Sequence, residues 1–259
     1  MSRWWFYVKR FLLILIVLLT CGLAPRSEPE LHTVQFTRMV DLSHVIKHDM
    51  PHLPGSALTR IMPADQENRT HIAQLGAPNG TWLSIISAAD VTPMTVEQLA
   101  AYELLTEVIV LDVRDYAQDN SAYRLGTSDI VAWEQQHGPI PTDVLVLLAT
   151  GWDIRWTTPA DYLHLDAHQN VQVPGVSAAA VDLLFRQRRV RGLGLDLPAT
   201  QVVLAPDMLP TMTTRPYWLL LENLTNVEQL PPTGATLAIS VLKIEGSAHS
   251  PVRTLALVP

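Results

Sequence analysis

The stretch Leu75-Gly76-Ala77-Pro78-Asn79-Gly80-Thr81-Trp82-Leu83-Ser84-Ile85-Ile86-Ser87-Ala88 is the one around which the chain is organised. Gly80-Thr81 stands between a polar turn and a short apolar run, where a glycine hinge at a site belongs. The stretch contains no His, Cys, Asp or Glu, the side chains from which divalent-metal sites are built, three or four at a time. Its second half, Trp82 to Ser87, suits a buried strand or the start of a helix equally.

Working outward, Asp41-Leu42-Ser43-His44, Met50-Pro51, Pro54-Gly55, Val110-Leu111-Asp112-Val113 and Thr150-Gly151-Trp152 follow in order. Then come Pro174-Gly175-Val176-Ser177, Gly192 to Asp196, Glu222-Asn223-Leu224, Lys243-Ile244-Glu245-Gly246 and Pro251-Val252-Arg253. In this order the segments resemble the cyclase family, which includes bacterial kynurenine formamidases. The resemblance implies a swivelling β/β/α fold, a homo-oligomer, and a zinc- or manganese-dependent hydrolase of formamides or cyclic amides and esters. In that family a His-x-Gly-Thr-His-x-Asp-x-Pro-x-His motif follows Leu-Gly. Laid on without a gap, its first two histidines fall on Pro78 and Trp82, its aspartate on Ser84, and its proton-transfer histidine on Ala88. A further histidine, expected about twelve residues before Glu-Asn-Leu, falls near Pro210, and 208–215 contain no His. Glu222 is the metal-ligand position that is retained, so no metal cofactor is expected.

The candidate pocket residues are Asn79, Thr81, Trp82, Ser84, Thr150, Trp152 and Glu222. Trp82 reads either as a core side chain filling the volume of the ion and its water, or as a stacking surface for a ligand. Glu222, after the apolar run Tyr217 to Leu221, reads either as a structural carboxylate accepting backbone hydrogen bonds or as part of a site. Two other histidine groups offer metal-like spacing. His44, His48 and His52 recur every fourth residue, but Pro51, Pro54 and Gly55 forbid a regular helix there. His164, Asp166 and His168 would share a face of an extended segment; a polar loop is the alternative.

The chain has 259 residues, 48% hydrophobic and 17% charged, with net charge −7. That suffices for one sizeable core. The acidic balance argues against a nucleic-acid partner, because phosphate binding needs clustered Lys and Arg. Residues 1–21 read as an export signal: Arg3, Lys9 and Arg10, then an unbroken apolar run Phe11 to Leu19, too short for a comfortable membrane span. Cys21, the sole cysteine, allows no intrachain disulfide. Leu18-Leu19-Thr20-Cys21 resembles a lipoprotein box; Gly22-Leu23-Ala24 offers ordinary cleavage; Trp4 to Tyr7 could extend the run into an uncleaved anchor. The expected location is therefore the cell envelope, reached by lipid, anchor or secretion. Residues 22–32 read as a polar tether and 33–259 as one α/β domain.

Within that domain, Thr33–Leu42 reads as a strand. Thr95 and Gln98 form a capping box for a helix to about Leu105. Glu107–Val113, Val144–Ala149, Gly192–Leu197, Thr236–Ile244 and Thr254–Val258 read as strands. Asp129–His137 and a helix capped by Ser177 lie between them, with Val181, Leu184 and Phe185 as the latter's apolar stripe. Arg186, Arg188, Arg189 and Arg191 complement its dipole. Alternation of helix with continuous apolar strand implies a sheet covered on both faces. Three functions fit: a member that has lost metal-dependent hydrolysis and binds a small molecule or partner; an active hydrolase with relocated or non-metal chemistry; or a structural envelope protein.

Overall fold

The continuous apolar runs of this sequence need two buried faces, and the architecture supplies them. In the computed structural model, which describes residues 33–65, 67, 70–76, 78–88, 91–199 and 216–259, residues 35–259 form one compact unit. Its strands are β1 Arg38–Asp41, β2 Arg60–Asp65, β3 Thr70–Gln74, β4 Trp82–Ser87, β5 Leu105–Asp112 and β6 Arg124–Leu125. They continue as β7 Leu145–Ala149, β8 Gly175–Val176, β9 Gly192–Leu195, β10 Tyr217–Glu222, β11 Ala235–Val241 and β12 His249–Val258. The described helices are α1 Arg114–Ala117, α2 Thr127–His137, α3 Pro159–Leu163 and α4 Ala178–Asp182, the last continuing as a wider turn through Gln187.

The main sheet runs β12-β11-β5-β7-β9-β10-β4 and closes by pairing β4 back onto β12. β5, β7, β9 and β10 are parallel; β4, β11 and β12 pair antiparallel with their neighbours. β12 is long enough to hold two partners on one edge, β4 at His249–Pro251 and β1 at Leu255–Val258. Closure removes the free edges a seven-strand sheet would otherwise expose.

Side-chain alternation divides each strand between two cores. Val108 and Val110 of β5, Leu145 and Leu147 of β7, Leu219 and Leu221 of β10, and Leu83 and Ile85 of β4 fill the barrel. Ile109, Leu111, Val146, Leu148, Trp218 and Leu220 point outward under α2 and α4, meeting Ile130, Trp133, Val181, Leu184 and Phe185. β9 crosses the tightest part of the interior and carries glycine where a side chain would point in. A Cβ on Gly194 would lie 2.4 Å from Leu147 Cδ2, and one on Gly192 would lie 1.9 Å from the carbonyl oxygen of Leu219.

Several expectations are corrected. The first strand covers Arg38–Asp41, not Thr33–Leu42, because its partner β12 ends at Val258, which already pairs with Arg38. No helix spans Thr95–Leu105. Gln98 Oε1 accepts the Thr95 N–H, but two short 3₁₀ turns follow, Val96–Gln98 and Ala101–Leu104, broken at Leu99 by an extended backbone. Burial of Val96 and Leu99 in the barrel core overrides the local signal. α2 begins at Thr127, two residues before the expected Asp129, whose carboxylate closes the helix start by accepting the Gly126 N–H. Ser177 does cap α4, its Oγ accepting the Ala180 N–H at 3.2 Å. The arginines after α4 pair across elements: Arg188 with Glu134 and Arg191 with Asp143. The β2–β3 hairpin has no counterpart in the sequence reading, its alternation being weak and both faces largely exposed. Cys21, the signal, the tether and Pro210 lie outside the described residues.

Gly192→Ala should lower the melting temperature more than Gly194→Ala, because its methyl collides with strand backbone while Leu147 can rotate away. Overpacking of this kind costs about 1–3 kcal/mol, read by thermal and urea unfolding of the two variants beside wild type.

Candidate functional site

The site is built where β4 enters the barrel beside the end of β10. Antiparallel register sets Trp82 against Glu222 and Ser84 against Leu220 on one side, and Trp82 against Pro251 and Ser84 against His249 on the other. Three strands therefore present side chains to one point.

The turn before β4 is held from several directions. Gly80 has φ of +85°, a conformation that favours glycine. Asn223, also at positive φ, donates through Nδ2 to the Gly80 carbonyl at 2.7 Å and accepts the Tyr162 hydroxyl at 2.8 Å. Thr81 Oγ1 donates to the Asn223 carbonyl at 2.8 Å and accepts the His44 N–H at 2.9 Å. Asn79 Nδ2 donates to the Ala57 carbonyl at 2.7 Å. Below this turn the His44 ring stacks on Trp156, centroids 3.9 Å apart, and burial lowers its pKa to about 4.

At the positions that correspond to metal ligands, each group has another commitment. Pro78 offers no side-chain donor. Trp82 is buried, and its indole N–H donates to the Asn79 carbonyl. Ser84 Oγ donates to Glu222 Oε2 at 3.0 Å, and His249 Nδ1 lies 3.0 Å from the same hydroxyl. Glu222 Oε1 accepts the Ala199 N–H at 3.2 Å. Ala88 is a buried methyl. Among the described residues no three His, Cys, Asp or Glu side chains stand close enough to hold an ion. One carboxylate, a hydroxyl and an indole do not fit zinc or manganese, which require three or four N, O or S ligands.

Burial raises the Glu222 carboxyl above its usual range, with the Ser84 and Ala199 hydrogen bonds opposing it. A second buried carboxylate, Asp196 after β9, is pushed up to about 7 by burial. It accepts the N–H groups of Thr150 and Gly151 at 2.8 and 2.7 Å and the Thr150 hydroxyl at 2.5 Å. Trp152, in the turn that follows, donates its indole N–H to the Tyr162 carbonyl at 2.8 Å. Thr150 and Trp152 are thus buried supports of the loop.

The cleft beside Glu222 is lined by Pro51, His52, Leu53, Pro78, Tyr162, Leu163, Pro198 and Asn223, with only about 10 Å³ for the centre of a water molecule. Of the residues singled out in the sequence, Pro78 and Glu222 reach it; Asn79, Trp82, Ser84, Thr150 and Trp152 do not line it, and Thr81 lines a different cleft. His52, weighed in the sequence only for its spacing with His44 and His48, also lines the cleft beside Glu222; Tyr162, Asn223 and His249 join the site without having been singled out as site residues. Asn223 was visible in Glu222-Asn223-Leu224; His249 became visible only when the barrel closed. The His164–Asp166–His168 array forms a loop instead of a shared face. Asp166 accepts the N–H groups of His168 and Asn170 at 2.8 and 2.9 Å, while His164, at positive φ, turns its Nδ1 to the Gln172 carbonyl.

Glu222→Gln should change the pH dependence of stability in a defined direction. A carboxyl whose folded pKa is raised stabilises the protein fully below its unfolded pKa, and this contribution is lost as pH rises through the folded value. Relative to the variant, wild type should therefore gain stability between pH 8 and pH 5, the opposing loss from buried His44 being common to both, and the variant should exceed wild type at pH 8. Equal pH dependence in the two proteins would contradict the assignment.

The comparisons with known proteins agree with the fold. A cyclase family model matches residues 40–202. Isatin hydrolase of Roseibium aggregatum is 30% identical over 194 residues, covering 71% of this chain and 73% of that protein. The solved structure of isatin hydrolase A from Ralstonia solanacearum matches with a TM-score of 0.76 at 26% identity, over 86% of this chain and 92% of that one. A structure described as a potential metal-dependent hydrolase with cyclase activity is 16% identical, over 85% of this chain and 96% of that one, and shares the fold with a TM-score of 0.61.

Proposed function

The chain belongs to the cyclase family, and from that premise we propose that it has exchanged metal-dependent hydrolysis for binding of a small molecule at the cleft beside Glu222. The observation that carries this reading is the Ser84–Glu222 hydrogen bond at 3.0 Å. A carboxylate that would face a cation is instead satisfied by a hydroxyl standing at the family's aspartate position. As it stands the cleft admits about one water molecule, and Tyr162 is hydrogen-bonded to Asn223 and Asn223 to Gly80, so a ligand enters by displacing part of the lining, against Glu222, His52, Leu53 and Pro198. A few polar groups on an apolar wall are the usual composition of a ligand pocket.

The purified protein should retain less than one equivalent of zinc or manganese after dialysis, measured by elemental analysis. Any hydrolysis of isatin or of N-formylkynurenine should be insensitive to EDTA. A small molecule that binds the folded state raises the melting temperature, so a ligand screen by thermal shift identifies the occupant. A stoichiometric ion that is lost in Glu222→Gln would overturn the reading.

One arrangement favours a second reading, hydrolysis without a metal. Ser84 Oγ lies 3.0 Å from both His249 Nδ1 and Glu222 Oε2, and partial burial lowers the His249 pKa, so a hydroxyl proton turned from Glu222 to Nδ1 would meet a neutral imidazole able to accept it. EDTA-insensitive turnover abolished by both Ser84→Ala and His249→Ala would establish it.

We further propose that the protein is exported and held at the cell envelope through its first 21 residues, with Cys21 as the lipid attachment point. Basic residues, an apolar run and the sole cysteine in that order support this. Cys21→Ser should leave the membrane fraction or fail to be processed; unchanged fractionation and mass would contradict it. Among the described residues no helix is long and apolar enough to cross a membrane.

A further inference from the structure

Among the exposed apolar side chains of the described surface, a group gathers away from Glu222. A cleft of about 560 Å³ opens between the segment after β1 and the junction of β11 with β12. Its lining includes Val45 and Ile46 from the loop after β1 and Leu242 from the loop after β11; Lys47 follows the first pair in sequence, and Lys243 and Ile244 follow Leu242. Val45 is 79% exposed, Leu242 55%, Ile244 39% and Ile46 37%. Large aliphatic side chains this exposed, gathered at one cleft, mark an interaction surface. The sequence has three lysines, and the two in the described residues, Lys47 and Lys243, both stand in these loops.

We propose that this two-loop rim docks on a lipid bilayer, inserting its aliphatic tips into the headgroup boundary with the two lysines snorkelling at its edge. Aliphatic tips flanked by lysine are what interfacial insertion requires, since the stem of lysine lies in the apolar layer while its ammonium stays hydrated. The charges around the cleft are nearly balanced: Arg253 pairs with Asp41 at 2.9 Å, Lys47 approaches Asp49 at 3.6 Å, and Glu245 follows Ile244. Insertion therefore relies on apolar contact, and anionic lipid strengthens it only modestly. The sequence supplies the occupant. Residues 11–19 are an unbroken apolar run, and the 13 residues 20–32 join it to the described chain. Fully extended they reach at most about 45 Å, so a bilayer that takes up the run stays within reach of the domain. Asp41 at the end of β1 lines the same cleft, which puts the surface close in sequence to that tether. The inference goes beyond the ligand-binding reading and does not depend on it, because it concerns neither Glu222 nor its cleft.

The test uses the full chain in a Cys21→Ser background, reconstituted into vesicles of phosphatidylethanolamine and phosphatidylglycerol. An environment-sensitive fluorophore is attached at Val45→Cys, Leu242→Cys or, as control, Tyr116→Cys, an exposed position on α1 outside the cleft. The fluorophore at 45 and 242 should shift to the blue on reconstitution and be quenched by spin-labelled lipid, while the one at 116 stays water-like. A water-like signal at 45 and 242 overturns the proposal whether or not the protein floats with the vesicles; flotation alone reports the N-terminal run. A blue shift that appears without lipid and grows with protein concentration also overturns it, and assigns the surface to a second copy of the chain. Loss of the blue shift at 45 in the Leu242→Asp variant, with the far-ultraviolet circular dichroism of wild type, is the expected supporting result. A persisting shift there counts against the two loops acting together.

Discussion

The antiparallel seat of β4 between β10 and β12 is the constraint on which the rest depends. β12 contributes only His249–Pro251 to this seam, yet the seam converts an open sheet into a barrel and brings Ser84, Glu222 and His249 to one place. In a metal-dependent hydrolase of this shape a cation would tie such side chains together. Here the serine hydroxyl does so, bridging a carboxylate of one neighbouring strand and an imidazole of the other. Removing a buried charge's partner ordinarily costs several kcal/mol; the protein limits that cost by giving both Glu222 oxygens a donor, Ser84 Oγ and the Ala199 N–H.

The frame around the centre is kept more completely than the centre itself. Gly80 has a positive φ, Thr81 donates to the Asn223 carbonyl while the Asn223 amide donates to the Gly80 carbonyl, and Asp196 gathers the Thr150–Gly151 backbone. These contacts fix the turn that would present ligands, whatever stands at positions 78, 82 and 84. A scaffold and the chemistry set in it are separable, which is why a relative 30% identical over most of the chain can be called isatin hydrolase while the ligand positions here hold proline, tryptophan and serine.

The sequence announced the parallel strands because each is buried on both faces: Val108–Leu111 and Leu145–Ala149 are continuous apolar runs that admit no other placement. It announced α4 through Ser177 and α2 through the segment Asp129–His137. It misread Thr95–Gln98, where a local cap signal was overruled by burial of Val96 and Leu99 in the barrel. Closure was invisible, since nothing in β4 or β12 taken alone encodes their pairing across 165 residues. That is also why His249 was missed, while Ser84 and Glu222 were found through the motif frame. The Asp166 segment takes the polar-loop reading offered beside the shared face, its carboxylate organising its own backbone.

The central claim is that this frame lacks only its ligands, and restoring them tests it most directly. Calorimetric titration of manganese into wild type and into the triple variant Pro78→His, Trp82→His, Ser84→Asp would read the claim in one experiment. The account predicts no saturable binding to wild type and one equivalent bound by the variant. Stoichiometric binding to wild type, or a folded variant that takes up no ion, would contradict it.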